Sequence, residues 1–279
     1  MSGEIAIWVD GLQAAALPLP DRGLEFGDGL FETLLLHNGD PLYLDLHLAR
    51  LRRGCAALGF ADSEPAVLEQ SRRACADAVT RGWRWCALRV TLTRGGGPRG
   101  YAPPADAKIR IVISATNLHD VPSRMAEPAA LGLASIRWPT QPALAGIKHL
   151  NRLEQVLAAR EYRASGTDEA VMLDQRGDVV SVVAGNLFLV RDGQLFTPPL
   201  DACGIAGTRR ELVIRRWSQA LGLAVKEQAI APAELETAQE IFYCNSLFGP
   251  RPVASFGQRN WNSHPVCTAL YAAYKGELA

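Results

Sequence analysis

The sequence predicts an α+β fold in which mixed sheets carry helices on their faces. Short apolar runs bounded by turn residues outnumber the long helical patterns in both halves of the chain. The 279 residues suffice for one large domain or two modest ones. Residues 118–130 contain two prolines and little apolar periodicity. We therefore expect a linker there, between an N-terminal α/β domain over 1–117 and a C-terminal domain over 131–279.

The N-terminal half reads as strands followed by helices. Asp10-Gly11 and Asn38-Gly39 are tight-turn signals between apolar runs. Asp45 is expected to cap a helix that Gly59 ends. The predicted elements are strands 5–9, 31–37, 41–44, 85–93 and 108–115, and helices 45–58 and about 65–80.

The C-terminal half begins with a strand and a helix whose apolar stripe is Leu150, Leu153, Val156 and Leu157. Its other predicted elements are strands 169–173, 179–183, 187–191, 194–197, 224–227 and 240–244, and helices 208–221 and from about 264. The striped helix, predicted over 148–164, puts Lys148 at its N-terminus. The helix dipole there disfavours a charged amine and would lower its pKa. Lys148 is thus either an ordinary surface charge or a reactive amine.

Composition excludes several classes of function. The formal net charge is zero, with 29 basic and 29 acidic residues, which argues against binding to nucleic acid or to acidic membranes. The six cysteines form no CxxC pair, so we expect no metal site and a reducing cytoplasm. We expect neither a signal peptide nor a membrane span, because the sequence has no pattern typical of either.

Two glycine-rich stretches are candidate binding loops. Residues 95–100 match GxGxxG, but Tyr101-Ala-Pro-Pro104 follows and cannot open a helix. We interpret this stretch as a hairpin loop with Arg99 and Tyr101 at its tip. In Gly204–Glu211, Thr208 and Glu211 form a capping-box pattern, and Arg209 and Arg210 add positive charge. That pattern indicates either an anion site at a helix N-terminus or an ordinary loop–helix junction.

The helix over 45–58 places His47 and Arg50 one turn apart, on the same side. Read alone, such a pair is more often a solvated basic face than a binding site.

Seven motifs occur together in an order that resembles fold-type IV pyridoxal-phosphate enzymes, the class IV aminotransferase-like proteins. They are DRGLEFGDGLFET (21–33), HLARL (47–51), TRGGGPRGY (93–101), KHLNRLEQVL (148–157), NLFLVRDGQLFTPP (186–199), GIAGTRR (204–210) and CNSL (244–247). The lysine motif, RGY and CNSL most resemble 4-amino-4-deoxychorismate lyases. The resemblance implies two domains that close over pyridoxal 5′-phosphate, with 131–279 as the cofactor-binding domain, and a homodimer.

The resemblance also implies roles for individual residues. Lys148 would hold the cofactor covalently and shuttle protons. The cofactor phosphate would be bound by Arg50 and by Gly207, Thr208 and Arg209. Asn245 and Ser246 would add further phosphate and substrate contacts, and Arg99, Tyr101 and Phe31 would face the substrate.

One position departs from the family pattern. Ser181 stands where a glutamate normally pairs with the protonated pyridine nitrogen, and neither Asp178 nor Glu169 has the family's register. A serine can hydrogen-bond this nitrogen but cannot hold its proton by charge. The weaker electron sink favours a lyase, whose reaction is driven by aromatisation.

The implied activity is conversion of 4-amino-4-deoxychorismate to 4-aminobenzoate and pyruvate for folate synthesis, downstream of aminodeoxychorismate synthase. An aminotransferase on the same fold, acting on branched-chain or D-amino acids, is the alternative. The missing glutamate also leaves open a relative that binds the cofactor and catalyses neither reaction.

Overall fold

The computed structural model describes residues 3–13, 16–118 and 124–278. The backbone forms two units, the first comprising Met1–Val121 with Ile147–Asn151 and the second Pro122–Gly146 with Arg152–Ala279. Of the expected linker, residues 119–123 lie outside the described residues, and Ala129–Leu133 is a strand. No described helix combines the length and apolarity needed to cross a bilayer.

The first unit is built on a six-stranded antiparallel sheet with the strand order β2-β1-β6-β5-β3-β4. Its strands are β1 (Ile5–Val9), β2 (Leu12–Gln13), β3 (Gly29–His37), β4 (Asp40–Pro41), β5 (Trp85–Thr93) and β6 (Arg110–Asn117). Its helices are α1 (Arg22–Phe26), α2 (Leu44–Leu58) and α3 (Glu64–Thr80). Burial alternates along β5 as expected for a strand with one face on the core.

Local turn chemistry explains the ends of α2. Gly59 ends the helix as predicted, with φ 64° and its amide bonded to the carbonyls of Ala56 and Cys55. The prediction that Asp45 caps this helix is wrong, because the residue before the helix is Tyr43, in the left-handed region at φ 57°. The helix therefore starts at Leu44, and the predicted strand 41–44 shrinks to the short β4. The stretch between β5 and β6 contains no helix, which confirms that the GxGxxG match is a loop.

The second unit contains a mixed nine-stranded sheet with the order β12-β11-β10-β13-β14-β7-β8-β9, and β15 pairs with β14. Its strands are β7 (Ala129–Leu133), β8 (Glu169–Leu173), β9 (Val179–Val182), β10 (Asn186–Arg191), β11 (Gln194–Thr197), β12 (Val225–Glu227), β13 (Glu240–Asn245), β14 (Gly249–Phe256) and β15 (Arg259–Asn260). Its α-helices are α4 (Leu153–Ser165), α5 (Thr208–Leu212), α6 (Ser218–Ala220), α7 (Pro232–Thr237) and α8 (Pro265–Gly276), and a π-helical stretch, Val213–Trp217, joins α5 to α6.

Strand β14 was missing from the sequence prediction although it lies inside the sheet. Pro250 and Pro252 make this segment look unlike a strand in the sequence. A proline has no N–H to donate to a neighbouring strand, so it usually marks an edge strand or the end of a strand. In the structure these prolines pair with Cys244 and Phe242 of β13, and the parallel ladder with β7 starts only at Val253. The prolines thus lie ahead of the point where β14 needs donors on both sides.

Candidate active site

Lys148 lies in an extended segment of the first unit and not in a helix. The Phe31 amide donates to the Lys148 carbonyl at 2.9 Å, and the Leu150 amide donates to the Gly29 carbonyl at 3.0 Å. Residues 147–151 therefore run alongside the start of β3. Helix α4 begins only at Leu153, so the predicted helix over 148–164 is wrong at its N-terminal end.

This correction removes the helix dipole as the reason for a reactive amine at Lys148. The Lys148 Nζ lies 4.1 Å from the centroid of the Phe31 ring, in half-buried surroundings. The Arg89 guanidinium carbon lies 3.9 Å from the centroid of the same ring. Both side chains therefore lie against Phe31. Phe31 thus positions the Lys148 side chain on β3.

The apolar stripe of helix α4 is exposed, whereas the apolar stripe of a core helix is buried. Leu153, Val156 and Leu157 are 74%, 54% and 41% exposed, whereas Gln155 and Ala158 are the buried residues of α4. The second unit therefore presents an apolar helical surface to its surroundings.

His47 and Arg50 are buried, so the interpretation of a solvated basic face is wrong. Both meet the carboxylate of Glu32 on β3. The Arg50 Nε donates to Glu32 Oε1 at 2.8 Å and its Nη2 to Oε2 at 2.6 Å, while His47 Nδ1 lies 2.7 Å from Oε2. This bidentate geometry fixes the plane of the Arg50 guanidinium.

The acidity of Glu32 reflects the same cluster. Burial alone would raise its pKa, but the positive charge of Arg50 and hydrogen bonds from Arg50 and His47 outweigh burial. The pKa of Glu32 is lowered to about 2. Glu32 is therefore ionised at neutral pH and holds Arg50 in place.

In the second unit, α5 follows the stretch Gly204–Gly207. Gly207 is its N-cap, with no side-chain cap, so the predicted capping box of Thr208 and Glu211 is wrong. The first bond within the helix runs from the Glu211 amide to the Gly207 carbonyl at 3.0 Å. The amides of residues 208–210 consequently have no acceptor inside the helix, as at any helix start.

Buried polar side chains surround this helix start. Thr208 and Arg209 are 3% and 1% exposed. The Arg209 Nη2 donates to the Ser246 carbonyl at 2.9 Å, and its Nη1 lies 3.4 Å from Thr208 Oγ1. Arg210 is paired with Glu227 at 2.6 Å.

The backbone at Gly207 packs closely against the side chain of Asn186. A Cβ built on this residue would lie 2.0 Å from Asn186 Oδ1, and the Asn186 Nδ2 donates to the Ile205 carbonyl at 2.9 Å. Asn186 thus holds the chain ahead of α5, and only a glycine fits at its cap.

Asn245 and Ser246 meet this region through a turn. Asn245 Oδ1 accepts from the amides of Leu247 and Phe248 at 3.0 and 3.2 Å, and its Nδ2 donates to the Ala184 carbonyl at 3.1 Å. The Asn245 side chain therefore shapes the turn after β13. The carbonyl of its neighbour Ser246 accepts the hydrogen bond from Arg209.

Ser181 is a buried residue of β9, opposite Met172 of β8. Its Oγ accepts a hydrogen bond from Trp138 Nε1 at 3.2 Å. Trp138 carries no recognisable signal in the sequence, because it lies outside the regular elements, between β7 and α4. Glu169 accepts from the amides of Ala170, Val183 and Ala184 at 3.0 to 3.2 Å.

Arg99 and Tyr101 lie in the loop between β5 and β6. Both are exposed, and Tyr101 is 86% exposed. Arg22 anchors this loop by donating to the carbonyls of Gly100 and Tyr101 at 2.9 and 2.7 Å. The Tyr101 ring lies 5.4 Å from the Phe26 ring, centroid to centroid.

Comparison with known proteins identifies the family. The family model of the class IV amino-transferases matches residues 29–256. The chain belongs to this family. The fold of the class IV aminotransferases, α+β with mixed sheets, agrees with the prediction from the sequence.

Three relatives illustrate the range of this family. The chain is 33% identical over 250 residues to an aminodeoxychorismate lyase from Vibrio harveyi, covering 88% of this chain and 90% of that one. It is 30% identical to a putative branched-chain-amino-acid aminotransferase from Methanocaldococcus jannaschii, over 88% and 84% of the two chains. The crystal structure of a 4-amino-4-deoxychorismate lyase from Pseudomonas aeruginosa superposes with a TM-score of 0.90 at 40% identity, over 98% of this chain and 99% of that one.

The cofactor of class IV aminotransferases is pyridoxal 5′-phosphate. The donors in this chain fit its functional groups. A primary amine, Lys148, suits an aldehyde carbon. The helix start at Gly207, with the Thr208 hydroxyl and the neighbouring Arg209, suits a phosphate.

Proposed function

We propose that this protein is a 4-amino-4-deoxychorismate lyase that uses pyridoxal 5′-phosphate. Ser181 at the position of the usual glutamate carries the choice of a lyase over an aminotransferase. The relatives from Vibrio harveyi and Pseudomonas aeruginosa support the same choice.

When bound, pyridoxal phosphate withdraws electrons from the carbon that bears the substrate amine. Transamination relies on this withdrawal throughout, because a full negative charge must be stabilised. The lyase reaction also gains an aromatic ring, so it tolerates a weaker electron sink. A neutral serine is therefore more compatible with the lyase reaction than with transamination.

Residues of this chain have the following proposed roles. Lys148 would hold the cofactor through Nζ until the substrate amine takes its place there, and the freed amine would then remove the proton from the amine-bearing ring carbon. Loss of that proton and cleavage of the ether C–O bond would release the enolate of pyruvate. Lys148 returns the proton to its methylene carbon, so 4-aminobenzoate and pyruvate account for every atom of the substrate.

The phosphate sites are assigned in the same way. In the first unit, Arg50 is a phosphate ligand whose guanidinium plane is set by Glu32. In the second unit, the amides at the start of α5, Thr208 and Arg209 bind phosphate, with Ser246 and Asn245 forming the neighbouring turn. Arg99, Tyr101 and Phe31 are the proposed substrate contacts.

We further propose a homodimer in a reducing compartment, the cytoplasm, with substrate supplied by aminodeoxychorismate synthase. The exposed apolar stripe of α4 supports a dimer, because contiguous apolar surface marks interaction sites. The six cysteines are free in the structure, which is compatible with reducing conditions.

The test is product formation by the purified holoenzyme from enzymatically generated 4-amino-4-deoxychorismate. We expect 4-aminobenzoate by its fluorescence and pyruvate by a coupled dehydrogenase. A protein that binds no pyridoxal phosphate, or binds it and forms neither product, would contradict the proposal.

An aminotransferase is the second candidate, and the 30% identity to the Methanocaldococcus jannaschii protein favours it. It predicts formation of a 2-oxo acid from an amino donor and 2-oxoglutarate, and no 4-aminobenzoate.

A further inference from the structure

The indole of Trp138 and the hydroxyl of Ser181 form a buried pair in the second unit. Trp138 Nε1 lies 3.2 Å from Ser181 Oγ, and both residues are 5% exposed. An indole N–H only donates, so in this pair the serine oxygen is the acceptor. One of its two lone pairs is thereby occupied, and its own proton must point elsewhere.

The backbone holds the indole in this position. The Trp138 amide donates to the Leu173 carbonyl at 2.8 Å, and Gln175 Nε2 donates to the Trp138 carbonyl at 3.1 Å. The ring packs in the buried cluster that includes Ala158, Met172 and Val180. Rotating the indole away from Ser181 would disrupt close packing, so the donor direction is fixed.

Charged groups on neighbouring elements do not supply the missing carboxylate. The Arg152 guanidinium carbon, 5.5 Å from the centroid of the Trp138 ring, carries a positive charge. Glu169 is held by three backbone amides. Asp174 accepts from the amides of Arg176 and Asp178 and pairs with the Arg176 guanidinium. Because Arg152 already places a positive charge near Trp138 and Ser181, a second positive charge next to them, such as a protonated ring nitrogen, would be disfavoured.

We propose that Trp138 is a positioning residue that fixes Ser181 as a hydrogen-bond donor and so keeps the pyridine nitrogen of the bound cofactor unprotonated. The inference rests on the proposed function, which assigns Ser181 to that nitrogen. Donation by the Trp138 N–H makes the serine oxygen a poorer acceptor for a protonated nitrogen, because one of its two lone pairs is already engaged. An unprotonated nitrogen is itself an acceptor and satisfies the serine proton. Donation by the indole also strengthens donation by the hydroxyl, because chained hydrogen bonds polarise one another.

The experiment is ¹⁵N NMR of holoenzyme loaded with pyridoxal phosphate labelled at the ring nitrogen, recorded as a function of pH. The wild type should show the unprotonated signal throughout the neutral range. Ser181→Glu should show the protonated signal. Trp138→Phe keeps an aromatic ring and removes the N–H, which makes Ser181 Oγ a stronger acceptor and its hydroxyl a weaker donor. The pKa of the ring nitrogen should therefore rise by about one pH unit, a tenfold change for one hydrogen bond.

Trp261→Phe is the matched control. Trp261 lies in the same unit, is also 5% exposed and also loses one indole hydrogen bond, from Nε1 to the Ala238 carbonyl at 3.0 Å. Its ¹⁵N titration should coincide with that of the wild type. If Trp138→Phe does not fold, Ser181→Ala decides: the signal should stay unprotonated and move away from the pyridinium value as the hydroxyl is lost.

Each outcome bears on the proposal. A protonated wild-type nitrogen, a Trp138→Phe titration like that of the wild type, or an unchanged signal in Ser181→Ala would overturn the inference. If 4-aminobenzoate still forms in that case, the proposed function stands. A chain that takes up no cofactor overturns both.

Discussion

The buried cluster around Glu32 gives the sharpest prediction about stability. Replacing Glu32 by Gln keeps the shape of the side chain and removes the charge that faces Arg50 and His47. The pKa of Glu32 falls from 4.5 to about 2 in the folded protein. At about 1.4 kcal/mol per pH unit, ionised Glu32 contributes about 3 kcal/mol to the free energy of unfolding near neutral pH.

The sign of the pH dependence follows from the lowered pKa. The contribution is fully present above the unfolded pKa and is lost as the pH falls toward the folded pKa. It should decrease to about 1.4 kcal/mol at about pH 3. Because Gln does not titrate, the difference in unfolding free energy between wild type and Glu32→Gln should decrease between neutral pH and pH 3 by as much as this contribution does.

The assay is urea denaturation of both proteins at neutral and acidic pH. Glu64→Gln is a matched control: Glu64 pairs with Arg52 at the same 2.6 Å, but the two side chains are 26% and 62% exposed. An exposed pair should contribute less than about 1 kcal/mol. A Glu32→Gln effect no larger than the control, or one that does not change with pH, would refute the reasoning.

Three further predictions concern the site. Lys148→Ala should abolish the yellow colour of the holoenzyme and the release of pyruvate; retention of either would show that another amine acts. Gly207→Ala should weaken binding of pyridoxal phosphate more than tenfold, measured by equilibrium titration, because the added Cβ would lie 2.0 Å from Asn186 Oδ1. Gly276→Ala, whose Cβ would meet nothing within 4 Å, is its control and should bind like the wild type. Ser181→Glu should raise transaminase turnover relative to lyase turnover, and an unchanged ratio would show that Ser181 does not set the reaction.

Patterns with a strong local cause were predictable from the sequence. The end of α2 at Gly59 and the whole of β5 follow from a left-handed glycine and from strand alternation. The motif order also predicted the fold, because seven separate stretches had to match in sequence.

Features that depend on distant partners were not predictable. The leucine spacing next to Lys148 predicts a helix, yet hydrogen bonds to Gly29 and Phe31 hold the segment extended. The buried state of Arg50 depends on a carboxylate that precedes it by 18 residues. Trp138 meets Ser181 across 43 residues, and neither local sequence carries a signal for that contact.

The most direct test of the proposed function is one reaction mixture in which both activities compete. It contains the holoenzyme, 4-amino-4-deoxychorismate, a branched-chain or D-amino acid and 2-oxoglutarate. We expect 4-aminobenzoate and pyruvate in equal amounts, with little oxo acid formed from the amino donor. Formation of that oxo acid without 4-aminobenzoate would contradict the assignment as a lyase.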